Sequence, residues 1–151
     1  MTSGRHYRLP TEAEWEAACR AGAPAGAAWS CGDDPAALTA VAWFRENSER
    51  RTHAVGGKAA NSLGLFDLHG NVGEWCVAPD GSCVVRGGNF RDTADGLRCD
   101  ARVLPQPQWN QSDPNLPKST WWLADAPFVG FRIACEGAPD AQGAPAPAAA
   151  K

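Results

Sequence analysis

Asp67 and Glu74 sit inside NSLGLFDLHGNVGEWC, residues 61–76, a stretch built otherwise of apolar side chains and glycines. Carboxylates in such a setting are costly unless something neutralises them. Gly64, Gly70 and Gly73 mark backbone that needs positive φ or close approach by another group. Spacing alone favours a bland solution, in which Asp67 caps a turn and Glu74 pairs with an arginine such as Arg86. The acidic positions do not repeat as an EF-hand loop requires. His69 lies in the same loop and reads as a hydrogen-bonded loop residue. His6 and His53 have no partners at metal-ligand spacing, so no iron or zinc site is expected.

Six cysteines form the second reactive set: Cys19, Cys31, Cys76, Cys83, Cys99 and Cys135. None forms a CxxC pair, which argues against a zinc ribbon. The expectation is a mixture of buried thiols and at most one bridge. Cys76 and Cys83 flank the turn-like VAPDGS and could face each other across a hairpin. Nucleophilic hydrolase chemistry has no support: Ser82 and Ser119 lack a nucleophile elbow, and no glycine-rich phosphate loop precedes a helix.

The elements that must hold these residues are few. A chain of 151 residues is one domain by default and can bury a real core. Sixteen Gly and twelve Pro point to loops rather than a helix bundle, and seven Trp supply large apolar area. RLPTEAEWEAACRAG, residues 8–22, carries the clearest helix signal: Thr11 and Glu14 fit a capping box, Trp15, Ala18 and Cys19 share a face, and Gly22 ends it. Residues 36–44 fit a short helix or a strand. Strands are expected at 82–90, 97–104 and 128–135, with a long irregular loop over 105–127. The tail from 137 to 151 is rich in Ala and Pro and is expected to be disordered. Net charge is −3 with no basic stripe, which argues against nucleic acid. The Arg50–Arg51 pair reads as a solvated turn. No apolar run approaches a membrane span, and MTSGRHYRLP lacks the apolar core of a signal peptide. The class is α+β with low regular content.

Four segments in order, RLPTEAEWEAACRAG, NSLGLFDLHGNVGEWC, VVRGGNF and VGFRIA, resemble the sulfatase-modifying factor family of formylglycine-generating enzymes and their relatives. The resemblance implies a loop-rich C-type-lectin-like fold with one main helix and short antiparallel strands over residues 1–136. In that family the RLPTEAEWE segment lies near mid-domain, whereas here it starts at residue 8. The early strands are therefore expected to be absent or to come from elsewhere, as in a portion of a larger multidomain protein. The resemblance also implies a structural calcium ion, with oxygens from the Asp67 and Glu74 side chains and the Gly70 and Val72 carbonyls. Such a closed cage of hard oxygens ties loops together and leaves no place for substrate.

The family's oxidases hold Cu(I) between two thiolates that follow the glycine turn, in the manner of RGGSFLCxxSYC, because soft sulfur suits that ion. Here the segment is RGGNFRDTADGLRC, residues 86–99. Asp92 and Leu97 stand where the cysteines belong, and Cys99 lies beyond the second position. The expectation is a domain without copper or redox turnover, acting as a binding or accessory module. The competing expectation is a formylglycine-generating-type oxidoreductase acting on a protein cysteine, or a related oxygen-dependent enzyme. Arg91, Trp109, Asn110, Trp121 and Trp122 then form the expected ligand face, suited to a protein, peptide or carbohydrate, with one of Trp121 and Trp122 in the core and the other partly exposed.

Overall fold

The computed structural model describes residues 5–119 and 123–137. Thr11 opens α1 (Glu12–Arg20) as the sequence predicts: its hydroxyl accepts from Glu14 N–H at 3.2 Å, and Glu14 Oε2 accepts from Thr11 N–H at 2.8 Å. Two orphan amides are thereby satisfied at once. Pro35 and the Asp34 side chain start α2 (Pro35–Val41), which makes the ambiguous 36–44 segment helical as far as Val41 and extended from Ala42.

The strands are β1 (His6–Arg8), β2 (Gly73–Val77), β3 (Cys83–Arg86), β4 (Arg102–Val103), β5 (Val129–Phe131) and β6 (Ala134–Glu136). They form a four-stranded sheet in the order β4-β3-β2-β5 and a separate β1-β6 ribbon. All pairings are antiparallel except β2 with β5, which is parallel. Two strand expectations change. Residues 128–135 do not form one strand: β5 serves the main sheet and β6 the ribbon, with Arg132 and Ile133 between them. Residues 97–104 keep only β4. A 3-10 turn covers Ala94–Leu97, and Cys99 lies in the turn that follows rather than on a strand.

Alternation along β2 and β3 gives the sheet two buried faces. Cys76 and Val84 face α1, where Trp15, Cys19, Leu68 and Cys99 complete one core cluster. Trp75 and Val85 face the other way, onto Trp109 and Ala126. Burying a side chain the size of Trp15 stabilises the fold by about 3 kcal/mol. A third cluster joins α2, through Leu38, to Trp29, Phe44 and Leu97. The register also answers the hairpin question. Cys76 stands opposite Val84, and Cys83 opposite Val77, so the two sulfurs lie on opposite faces and cannot bridge. The tail beyond residue 137, expected to be disordered, lies outside the described residues.

Candidate functional site

Asp67 adopts a left-handed backbone, φ 56°, in the glycine-broken loop that leads into β2. Its Oδ2 accepts from Gly56 N–H at 2.7 Å, while Oδ1 is buried with no hydrogen-bond partner. Glu74 is 6% exposed on β2. Trp15 Nε1 donates to its Oε2 at 2.7 Å, and Arg132 donates to both carboxylate oxygens at 2.8 Å. The pairing arginine is therefore Arg132. Arg86, the candidate from the sequence, turns to Glu12 and Glu16 on α1 at 2.9 and 2.7 Å. Asp67, Val72, Glu74 and Arg132 line one cleft of about 410 Å³. Gly70 is held behind it: its φ is 74°, and a Cβ there would lie 2.1 Å from the Trp43 carbonyl oxygen.

The donor set fits a hard cation in part. Two carboxylates line one cleft, and one oxygen of Asp67 is unclaimed. Glu74, however, already has a cation in Arg132.

The glycine turn after β3 contains no thiol at either oxidase position. Asp92 Oδ2 accepts from Asn89 N–H and Nδ2 at 2.9 and 2.6 Å, which closes the turn. Burial raises the Asp92 carboxyl above its usual range, against those bonds. Leu97 is wholly buried against α2. Neither side chain is the soft sulfur donor that Cu(I) favours.

A cluster that the sequence did not reveal lies beneath it. Cys19 on α1 and Cys99 in the turn after the 3-10 segment bring their sulfurs to 2.8 Å, and His69 lies beside them, with Nε2 3.7 Å from Cys19 Sγ. All three are buried. The His69 ring is already engaged. Its Nδ1 donates to Leu97 O at 2.8 Å, and its Nε2 accepts from Ser30 N–H at 3.1 Å. That network assigns a neutral Nδ1–H tautomer, and burial holds the ring below its ordinary pKa. Either sulfur can be the donor between them, and this contact lowers the Cys99 thiol and, together with burial, raises Cys19. Dithiol–disulfide chemistry suits this geometry better than a metal, since the sulfurs need approach by less than about 1 Å to reach bonding distance. No residue spacing links positions 19, 69 and 99. The signals were separate: Cys19 on the buried helix face, His69 in a glycine loop.

The expected ligand face is only partly present at the surface. Trp109 is 7% exposed, packed edge-on against Trp75 and Phe128. It is a core residue that shows one wall to a cleft of about 190 Å³ shared with Asp92 and Phe128. Asn110 is half-buried and donates to the Ser119 carbonyl. Arg91 is exposed, its guanidinium 5.0 Å from the Phe90 and Phe128 ring centres. Trp121 and Trp122 lie outside the described residues. Among the described residues no helix is long and apolar enough to cross a membrane.

Comparison with known proteins accords with this geometry. Residues 2–136 match the family described as "Sulfatase-modifying factor enzyme 1-like domain". The formylglycine-generating enzyme of Mycobacterium tuberculosis is 43% identical over 77 residues, which cover 45% of this chain and 26% of that protein. The "Inactive C-alpha-formylglycine-generating enzyme 2" of Bos taurus is 36% identical over 106 residues, 61% of this chain and 35% of that one. Among solved structures, the variable protein 1 of Treponema denticola superposes with a TM-score of 0.65 at 32% identity, covering 85% of this chain and 47% of that one. The chain thus spans about half of the solved relative and between a quarter and just over a third of the two sequences. Its fold is the loop-rich, C-type-lectin-like α+β fold of these neighbours. The chain belongs to the sulfatase-modifying factor enzyme 1-like domain family.

Proposed function

We propose that this domain is a non-catalytic binding or accessory module, stabilised by calcium and forming part of a larger assembly or chain. The observation that supports the reading most is the glycine turn: Asp92 and Leu97 occupy the positions where an oxidase of the family holds its copper thiolates, and one is tied into the turn while the other is core. The bovine relative whose name calls it inactive is consistent with a family member that has lost turnover. Arg91, beside the cleft floored by Trp109 and Phe128, belongs to the face where a protein, peptide or carbohydrate ligand would bind.

Asp67, Gly70, Val72 and Glu74 would hold the calcium, whose charge would neutralise both acids and fix the loop into β2. The unpartnered Asp67 Oδ1 supports that site, and the Arg132–Glu74 pair competes with it. Chelation of calcium-loaded protein should lower the melting temperature, and Asp67→Asn should remove that response while leaving the Arg132 pair intact. No chelator effect on a demonstrably loaded sample rejects the site.

The second reading is an oxidoreductase acting on a protein cysteine. The Cys19–Cys99 pair favours it, since it is a true dithiol in a relative of formylglycine-generating enzymes. Both sulfurs are 0% exposed, however, which leaves a substrate no route to them. Cu(I) titration of the reduced protein separates the readings: the accessory module gives no tight two-thiolate site, and the oxidoreductase gives one copper per chain.

A further inference from the structure

Arg45, Arg50 and Arg91 line a single recess of about 240 Å³. They are distinguished by what they lack. Arg51, the immediate neighbour, pairs with Glu49 at 3.0 Å, and Arg86, Arg98, Arg102 and Arg132 each have a carboxylate partner. Arg45, Arg50 and Arg91 have no carboxylate within 4.0 Å among the described residues, and none of their guanidinium groups is spent on a backbone carbonyl. In a chain of net charge −3, acids were available to pair them. Three like charges facing one recess repel each other unless an anion enters.

The recess is also held in shape. Arg45 N–H donates to Asp92 O at 3.0 Å, and the buried Ser48 hydroxyl donates to Phe90 O at 2.8 Å, so the 44–50 segment is fastened to the glycine turn. Arg50 follows Glu49 in a paired left-handed kink, φ 57° and 55°, and its N–H donates to Ser48 Oγ. Arg91 lies over both Phe90 and Phe128, a cation–π arrangement that limits its rotamers. Phe128 in turn lines the neighbouring apolar cleft with Trp109 and Val103.

We infer that Arg45, Arg50 and Arg91 form a binding site for a tetrahedral oxyanion, a phosphate or sulfate group, carried free or as a monoester whose apolar body lies over Phe128. Guanidinium forks match the oxygens of such groups in pairs, and a fixed cluster of them is the usual recognition device. The site is independent of the calcium and copper questions. It adds a ligand class to the face on which Arg91 lies.

The test is calorimetric titration of the folded chain with inorganic phosphate, inorganic sulfate and phenyl phosphate, at constant ionic strength maintained with chloride. One saturable site per chain is expected. Arg45→Gln, Arg50→Gln and Arg91→Gln should each weaken it about tenfold, the loss of one charge-assisted contact, while Arg51→Gln changes nothing. Melting temperatures of the variants should match that of the parent, because all three guanidinium groups are exposed. Tighter phenyl phosphate than inorganic phosphate identifies an ester ligand, and equal affinities identify the free anion; both sustain the site. Absence of saturable binding, or equal weakening by Arg51→Gln, overturns it.

Discussion

Cys19 and Cys99 are 80 residues apart in sequence and 2.8 Å apart at their sulfurs, which join helix α1 to the turn beneath the glycine loop. Refolding the reduced, unfolded chain in oxidised glutathione, which reaches both thiols before they are buried, should therefore convert the pair to a disulfide. Two thiols lose two hydrogens and two electrons, and one glutathione disulfide becomes two glutathiones. Closing a loop of that length stabilises by about 4 kcal/mol if the bond forms without strain. Intact mass should fall by two hydrogens, the melting temperature should rise, and Cys19→Ser should abolish both. A mixed disulfide at Cys135, the exposed thiol, without any 19–99 bond would contradict the geometry.

Glu74 receives three hydrogen bonds from Trp15 and Arg132 at the edge of the core. Breaking a buried pair leaves its partner charge uncompensated. Arg132→Gln should cost about 3 kcal/mol in urea unfolding because it strands the more buried Glu74, and Glu74→Gln somewhat less because the Arg132 it strands is the more exposed of the two. A change below about 1 kcal/mol for Arg132→Gln would show that the pair is solvent-screened.

Gly70 is the backbone position on which the acidic loop turns. Gly70→Ala adds a left-handed penalty to a contact with the Trp43 carbonyl that only backbone movement can relieve. The expected loss is about 3 kcal/mol or more. Gly26→Ala, equally left-handed at φ 79° but with open space around it, should cost only the smaller conformational part. Equal losses at the two sites would remove the steric argument.

His69 is buried neutral, so its folded pKa lies below its unfolded value near 6.5. Its contribution to stability is complete above about pH 6.5 and is lost as pH falls through the folded pKa, because the unfolded chain takes the proton first. Urea unfolding followed from pH 7.5 to 5 should show that slope. His69→Gln should be less stable at pH 7.5 yet flatter with pH. An unchanged slope in the variant would assign the pH dependence to other groups.

The sequence makes α1 legible because its cap and its buried face are local: Thr11, Glu14, Trp15 and Cys19 lie within one short segment. The two acids are legible as a problem, though not in their solution. Arg132 reaches Glu74 across 58 positions, while Arg86, the nearer candidate and its cross-strand neighbour, finds better partners in Glu12 and Glu16. FVGFRIAC alternates as one strand would, yet the chain changes sheets at Arg132 because β2 and β1 each take a different half. Trp109 lies in a proline-rich segment that reads as exposed loop, and the segment is indeed irregular, but its ring fills the second face of the sheet. The Cys19–His69–Cys99 cluster is assembled by packing alone and leaves no trace in spacing.

The proposed non-catalytic role rests on Asp92 and Leu97 standing where a thiolate pair would be needed. Its most direct test is to incubate the reduced domain, loaded with Cu(I), with oxygen and a cysteine-containing sulfatase peptide, and to follow the peptide by mass spectrometry. The peptide cysteine should stay a thiol or form only disulfides. Catalytic appearance of the aldehyde at that cysteine, lost in Cys99→Ser, would contradict it.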